Sequence, residues 1–447
     1  MMTSVQYCLQ GATSSQIAAS AELAVRDGLL AVGEPLPTVR DLAAQLGVAP
    51  GTVAAAYRTL RERGLVQTDG RRGTWVRARP PFISRVATTS PPTGTVDLST
   101  GLPDPSLLPP LAKALARLAA GAGSAASPTD RVLPALADRA RNRLTRDGVP
   151  DGVLTVTAGA LDALERVLTA HLRPGDRVAV EDPGWPNLLD LVASLGLRTA
   201  PLALDDDGPR PETLAAALKD GAGAVVLTSR AQNPTGAAVT AQRRDALQDV
   251  LAGAPGTLVI EDDHAAELSD VPLAPVVGTT TAWAFVRSLS KPYGPDLRVA
   301  VCVGDPTTVS RVEGRQRLGA GWISTLLQQL AVELWDDPEA DRAIARAARV
   351  YAVRRTALLT ALAERGVPAR GGTGLNVWVS VPDETTAVSR LLAAGWLVAP
   401  GARFRVAGPP AVRISVGALD ERNVDRLADA LAPRTGADLD RSPTYSA

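Results

Sequence analysis

The sequence predicts two folded parts of different class: an N-terminal winged helix-turn-helix and, beyond a linker, a larger α/β unit on a mostly parallel sheet. Three observations carry this. Residues 1–79 read as helix, helix, short turn, helix and then two strand-like runs. Further along, short β-like runs alternate with helical stretches, the pattern of a parallel sheet with crossover helices. Between the two, Arg79-Pro80-Pro81 through Ser90-Pro91-Pro92-Thr93-Gly94 holds prolines, threonines and glycine without periodicity, which is linker composition. The expected division is 1–79, a linker 80–96, a body 97–435 (a large part about 140–305 and a small part about 306–435) and a polar tail 436–447.

Each element of the first part has a local cause. Gln16 to Ala31 places Ile17, Ala21, Ala24 and Val25 at helical spacing and meets Gly33 and Pro35, which stop it. Thr38 is an N-cap residue with Asp41 three positions on, so a second helix starts there and ends at Gly47. A third runs from Pro50 or Gly51 to Arg63 and ends at Gly64, with Pro50 suited to a first helical position. Leu65-Val66-Gln67-Thr68 and Thr74-Trp75-Val76-Arg77 alternate as strands do, with Asp69-Gly70-Arg71-Arg72-Gly73 as the turn. In the second part, strands are expected at 154–157, 177–180, 224–227, 258–260, 284–286 and 299–303, with a helix at 161–172. After Thr307 the chain turns mainly helical, then mixed from Gly374 to Val416, as a smaller domain would.

Composition narrows the function. Forty-seven basic residues balance 47 acidic ones, so the chain as a whole is no polycation. No run approaches the ~18 apolar residues of a membrane span, and Met1 to Gln10 lacks the basic and apolar regions of a secretory signal. Cys8 and Cys302 fit no metal or redox spacing, and no metal site is expected; a reducing, cytoplasmic setting is the simplest expectation. Only three residues are lysines, Lys113, Lys219 and Lys291, so each invites inspection.

Residues 1–79 hold nine arginines against six acidic residues, a net of +3. Arg58, Arg61 and Arg63 fall late in the third helix and Arg71 and Arg72 in the wing, where they can neutralise phosphates. The same pattern also fits a small helical domain with a solvated charged face. In the second part, Ser288-Leu289-Ser290-Lys291 follows a strand, which puts Lys291 on a loop; a desolvated, neutral lysine amine can form a Schiff base with an aldehyde. Ile260-Glu261-Asp262-Asp263-His264 ends another strand in carboxylates, and a carboxylate facing a pyridine nitrogen keeps it protonated and the ring an electron sink. Thr157-Ala158-Gly159-Ala160 joins strand to helix, where backbone amides can hold a phosphate, and Ser288 and Arg298 can add a hydroxyl and a guanidinium. Taken singly, a strand-end aspartate is equally a cap or ion-pair partner, and a Gly-Ala helix start equally a turn; their order and spacing carry the signal.

The first part resembles the GntR-type winged-helix domain. The resemblance rests on Leu36-Pro37-Thr38-Val39-Arg40-Asp41-Leu42-Ala43, Leu46-Gly47-Val48, Thr52-Val53, Tyr57, Leu60, Gly64-Leu65-Val66 and Gly73-Thr74, over nearly all of 15–77. It implies contacts to double-stranded DNA from Thr38, Arg40, Gly51, Thr52, Arg58, Arg71, Arg72 and Gly73. The third helix here begins Ala49-Pro50-Gly51-Thr52, without the serine and polar or basic residues usual in that family.

The second part, roughly 97–432, resembles fold-type I pyridoxal-phosphate-dependent aminotransferases. Its marks are Gly101-Leu102-Pro103-Asp104, Thr157-Ala158-Gly159-Ala160, Glu181-Asp182-Pro183-Gly184-Trp185, Asn233-Pro234-Thr235-Gly236, Glu261-Asp262-Asp263, Ser288-Leu289-Ser290-Lys291 with Arg298, and Arg413-Ile414-Ser415. The resemblance implies that Lys291 bonds the cofactor aldehyde, Asp262 pairs with the pyridinium, Asn233 bonds the ring hydroxyl and Trp185 stacks on the ring. It further implies that Gly159, Ala160, Ser288 and Arg298 surround the phosphate, that Ser290 belongs to the cofactor site, and that Arg413 grips a substrate carboxylate. Two positions depart from the family. His264 stands where a tyrosine is usual, and Ser124-Ala125-Ala126-Ser127-Pro128-Thr129 replaces a Tyr-Gly-x-Pro-x-Gly stretch whose tyrosine reaches the partner subunit's cofactor.

The combination resembles the MocR group of bacterial transcription regulators. That resemblance implies a cytoplasmic homodimer, joined through the aminotransferase-like part, that binds DNA and senses pyridoxal phosphate, with a small amino compound as a second ligand. One alternative is a working aminotransferase with an accessory winged helix; another is a regulator using the core only as a scaffold. With His264 and the 124–129 departure, half-reactions at most are expected rather than full turnover.

Overall fold

The structure, a computed structural model, describes residues 9–26, 29–31, 33–62, 65–68, 73–76, 92–121 and 131–432. Cys8, Arg63, Arg71, Arg72, linker residues 80–91, Ser124 to Thr129 and the 436–447 tail lie outside the described residues. Two compact units emerge: 9–76 with the short stretches 173–176 and 192–198, and the remainder of 92–432.

The first unit contains α1 (Ser14–Arg26), α2 (Val39–Leu46), α3 (Pro50–Glu62), β1 (Val66–Thr68) and β2 (Thr74–Val76). The two strands pair antiparallel, Val66 opposite Val76. Ile17, Ala21, Leu42, Val53, Ala56, Leu60, Val66 and Val76 are buried together, so three helix faces and the ribbon share one core. Thr38 caps α2: its hydroxyl accepts from Asp41 N at 3.2 Å and donates to Asp41 Oδ2 at 2.6 Å. Asp41 therefore returns to the cap hydroxyl, not to the cap amide as a full capping box would. Gly47 ends the helix at φ +66°, ψ +30°, a left-handed position glycine fills without strain. The Tyr57 hydroxyl donates to Pro37 O at 2.8 Å and fixes α3 against the entry to α2. One expectation is corrected. The first helix does not reach Ala31, because Leu29 N and Leu30 N both turn back to Ala24 O, at 2.8 and 3.1 Å, and close it.

The second unit opens with β3 (Val96–Asp97), α4 (Ala112–Gly121), α5 (Pro134–Arg146), β4 (Val153–Thr157), α6 (Ala160–His171), β5 (Arg177–Asp182), α7 (Pro186–Ser194), β6 (Arg198–Asp205) and β7 (Gly208–Pro209). It continues with α8 (Pro211–Lys219), β8 (Ala222–Thr228), α9 (Ala241–Ala252), β9 (Leu258–Asp263), β10 (Ala282–Ser288), α10 (Ser290–Tyr293), β11 (Ala300–Gly304), α11 (Pro306–Arg317), α12 (Thr325–Trp335) and α13 (Pro338–Glu364). The last elements are β12 (Ala369–Arg370), β13 (Asn376–Ser380), α14 (Glu384–Ala393), β14 (Trp396–Leu397), β15 (Ala399–Pro400), β16 (Ala411–Ser415) and α15 (Val424–Leu431).

Eight strands form the main sheet in the order β4-β11-β10-β9-β8-β5-β6-β7. β5, β8, β9 and β10 pair in parallel, and β11 runs antiparallel to both β10 and β4. Covered on both faces, these strands are nearly continuous apolar runs: Val225, Val226 and Leu227 of β8, Val259 and Ile260 of β9, Phe285 and Val286 of β10 are all buried. Polar residues appear at the carboxyl ends, where Thr228 and Ser288 terminate their strands and Asp262 is the penultimate residue of β9 between them, Thr228 and Val286 each standing opposite Asp262. In sheets of this kind ligands bind at that edge. A second sheet, β12-β13-β16-β15, carries Arg413, and β3 pairs with β14, so Val96 already belongs to this unit's hydrogen-bonded structure.

Candidate functional site

A cavity of about 490 Å³ opens at the carboxyl edge of the main sheet. Of the residues singled out in the sequence, Ala160, Trp185, Asn233, Asp262, His264, Ser288, Ser290, Lys291, Arg298 and Arg413 line it. Gly159 does not line it but abuts Arg298: at φ +97° it suits glycine, and a Cβ there would fall 2.8 Å from the guanidinium.

Lys291 stands on the single turn α10 rather than on a loop, because Tyr293 N donates to Leu289 O at 3.0 Å and Ser290 N to Ser288 Oγ at 3.2 Å. Its Nζ donates to Gly101 O. Burial, with the positive charge of Arg413 adding to it, pulls the amine down to about 8 from its ordinary 10.5. Arg413 is buried on β16. It donates from Nη1 to Asn233 Oδ1 at 3.0 Å and from Nη2 to Ser99 O, and its guanidinium lies 4.8 Å from the Phe404 ring centre. Burial and then the charge of Arg403 pull it down to about 9, against the opposing charge of Asp97.

Asp262 is buried; Oδ1 has no hydrogen-bond partner and Oδ2 lies 3.6 Å from His264 Nδ1. The Ser290 hydroxyl is likewise buried and unpartnered. Arg298, at φ +48°, donates to Ala158 O at 2.8 Å, which brings its guanidinium to the start of α6. The Ala158 amide is taken by Asp162 Oδ2 at 2.9 Å. Buried polar atoms left without partners cost free energy unless a ligand meets them. A carboxylate oxygen, a hydroxyl, a weakly basic amine and a guanidinium at a helix N-terminus therefore suit a ligand with an aldehyde, a pyridine nitrogen and a phosphate.

Three buried carboxylates support this floor. Burial pushes Glu181 up to about 7, although it accepts from Thr228 N at 2.8 Å, Thr228 Oγ1 at 2.9 Å and Gln232 Nε2 at 3.0 Å. Burial likewise pushes Glu261 up to about 7 while it accepts from Ser229 Oγ at 2.7 Å, Val276 N at 2.8 Å and Val277 N at 3.0 Å. Burial acts on Asp263 too, but Arg287 and Arg230 outweigh it and hold the carboxyl below its ordinary range. Asp262 thus sits between two braced neighbours.

Sequence reasoning missed Asp97, Ser99, Thr228, Arg403 and Phe404, which also line the cavity. Gly101 belongs to a motif noted above, but its residue type gives no sign that its carbonyl receives Lys291. On the first unit, Thr38, Arg40, Gly51, Arg58 and Gly73 are exposed and Thr52 is half-buried. No described helix is long and apolar enough to cross a membrane, and the described residues contain no group of three or more His, Cys, Asp or Glu placed for a metal ion.

Fold and site define an aminotransferase-type core joined to a winged helix-turn-helix. Residues 93–431 match aminotransferase class I and II, and residues 13–76 match the bacterial regulatory proteins of the gntR family. The chain is 40% identical over 427 residues to the vitamin B6 salvage pathway transcriptional repressor PtsJ of Salmonella typhimurium, covering 94% of this chain and 98% of PtsJ. It is 28% identical over 441 residues to the HTH-type transcriptional regulator TauR of Rhodobacter capsulatus, covering 88% and 90%. Among solved structures, the α-aminoadipate aminotransferase LysN of Thermus thermophilus superposes with TM-score 0.67 at 26% identity, over 76% of this chain and 92% of LysN. The chain belongs to the MocR-type bacterial transcription regulators, in which a GntR-type winged helix precedes an aminotransferase class I and II domain. It is accordingly a DNA-binding regulator by family.

Proposed function

We propose that this regulator takes pyridoxal phosphate in the cavity of its aminotransferase-like core and that occupancy sets how its winged helices bind DNA. The observation carrying the reading is the conjunction, in one cavity, of the weakly basic Lys291 amine, the unpartnered Asp262 oxygen and Arg298 at the head of α6. The repressor of vitamin B6 salvage, with which the chain shares 40% identity, supports the choice of ligand.

When bound, the cofactor supplies an electrophilic aldehyde on a ring that withdraws electrons. Lys291 offers its neutral amine to that aldehyde. Asp262, fixed between Glu261 and Asp263, holds the proton on the ring nitrogen. Asn233 and His264 bond the ring hydroxyl, Trp185 covers one ring face, and Ser288, Ser290, Arg298 and the start of α6 with Gly159 and Ala160 bind the phosphate. Arg413 takes a carboxylate of an amino compound. On the first unit Thr38, Arg40, Gly51, Thr52, Arg58 and Gly73 meet DNA, joined by Arg71 and Arg72. The protein works as a homodimer through its core in the bacterial cytoplasm. Ligand control requires that cofactor bind the DNA-competent and DNA-incompetent arrangements with different affinity.

The test is a visible absorbance titration of the full chain with pyridoxal phosphate, paired with operator binding at each occupancy. A new visible band together with a shifted DNA affinity is expected. Unchanged DNA affinity at full occupancy refutes the regulatory role, and no new band refutes the cofactor role.

A further inference from the structure

The Arg403 side chain faces the same cavity, yet among the described residues it has no hydrogen bond and no ion pair. Its backbone is well anchored. β15 pairs antiparallel with β16, Ala399 opposite Arg413 and Pro400 opposite Val412, so the turn Gly401–Arg403 begins beside the strand carrying Arg413. Ala402 N donates to Glu384 Oε1 at 2.8 Å, and Arg405 pairs with Glu384 Oε2 at 3.2 Å. Gly184 N donates to Phe404 O at 2.7 Å. Val406 N and Ala407 N donate to Asp182 Oδ1 and Oδ2 at 2.8 and 2.9 Å. Residues on both sides of Arg403 are thus tied down while its five N–H donors remain unused.

Charge points the same way. The cavity is lined by Lys291, Arg298, Arg403 and Arg413 against Asp97 and Asp262. The cofactor assigned above engages Lys291, Arg298 and Asp262, which leaves two guanidiniums and Asp97. Asp97 Oδ1 already accepts from Ser99 N at 2.8 Å and Ser99 Oγ at 2.7 Å. A ligand with one carboxylate commits its oxygens to Arg413 and leaves Arg403 without an acceptor; a second acid group supplies one.

We propose that Arg403 is a second anion anchor and that the amino compound sensed by this core is a dicarboxylic one, Arg413 holding one carboxylate and Arg403 the other. This rests on the assignment of Arg413 to a ligand carboxylate. The probes are succinate and succinamate, equal in size but differing by one acid group, titrated calorimetrically into the full chain loaded with pyridoxal phosphate.

Succinate is expected to bind about tenfold more tightly than succinamate, as one charge-assisted contact predicts. Arg403→Gln should remove that preference while succinamate still binds, and Arg403→Lys should keep part of it. Equal binding of the two probes to the parent, a preference surviving Arg403→Gln, or no binding of either overturns the proposal. Arg413→Gln separates the two assignments. If it weakens both probes while the parent shows no preference, only the role of Arg403 falls. If it leaves succinamate binding unchanged, the carboxylate role of Arg413 falls with it.

Discussion

Attachment of pyridoxal phosphate should follow the titration of one amine. Lys291 is pulled down to about 8, against an ordinary 10.5, chiefly by burial and further by Arg413. Below the midpoint the neutral fraction falls tenfold per pH unit, so near neutrality Lys291 offers roughly 300 times the neutral amine of a solvated lysine. Only the neutral form attacks an aldehyde. The rate of growth of the visible band, followed by stopped flow from pH 6 to 10, should therefore rise with pH and level off around 8. Removing the nearby charge by Arg413→Gln should move the midpoint upward, by less than the burial contribution. Borohydride reduction and peptide mapping identify the lysine. Lys113 is held by Glu339 at 3.1 Å and half-exposed. A midpoint near 10, or label on Lys113 or Lys219, refutes the reasoning.

The same amine has a stability signature. Its folded value lies below its unfolded one, so the folded state carries a penalty in full below pH 8 that is relieved as pH rises from 8 to 10.5. Without cofactor, Lys291→Met should raise Tm at pH 7 and lose that advantage by about pH 10.5; an advantage independent of pH contradicts it. Asp262→Asn should weaken pyridoxal phosphate by about 10- to 100-fold, the worth of a charge-assisted hydrogen bond, in an absorbance titration. Unchanged affinity would remove Asp262 from the cofactor's partners. Arg40→Ala should lower operator affinity more than random-sequence affinity in a mobility-shift assay. Equal losses would mean that Arg40 meets phosphate alone.

The legible parts of this molecule were those set by neighbours in sequence. Thr38 with Asp41 gives the start of α2, Gly47 its end, and the apolar runs at 224–227 and 258–260 their strands, because caps, left-handed turns and doubly buried strands are local matters. Motif order also grouped Asp262, Ser288 and Lys291, which line one cavity because strand ends of a parallel sheet converge on one edge. The end of the first helix was misjudged because Leu30 and Ala31 continue its apolar character, while the chain's return to Ala24 O emerges only in three dimensions.

What the sequence concealed was environment. Glu181 and Glu261 look like ordinary carboxylates, but Glu181 meets Thr228 and Gln232 and Glu261 meets Ser229 and two loop amides, partners between 15 and 51 residues away. Only that burial makes them weak acids near 7 beside Asp262. Arg403 gives the clearest case. Glu384 and Asp182, 19 and 221 residues from it in sequence, hold the turn that presents it to the cavity. Among the described residues its own side chain makes no hydrogen bond or ion pair, and it meets Arg413 only through charge. A residue recognised by what it lacks, an acceptor for a cation in a confined space, leaves no motif. The proposed role of Arg403 implies that ligand selectivity in such a core changes through a single turn residue while Lys291, Asp262 and Arg413 stay fixed.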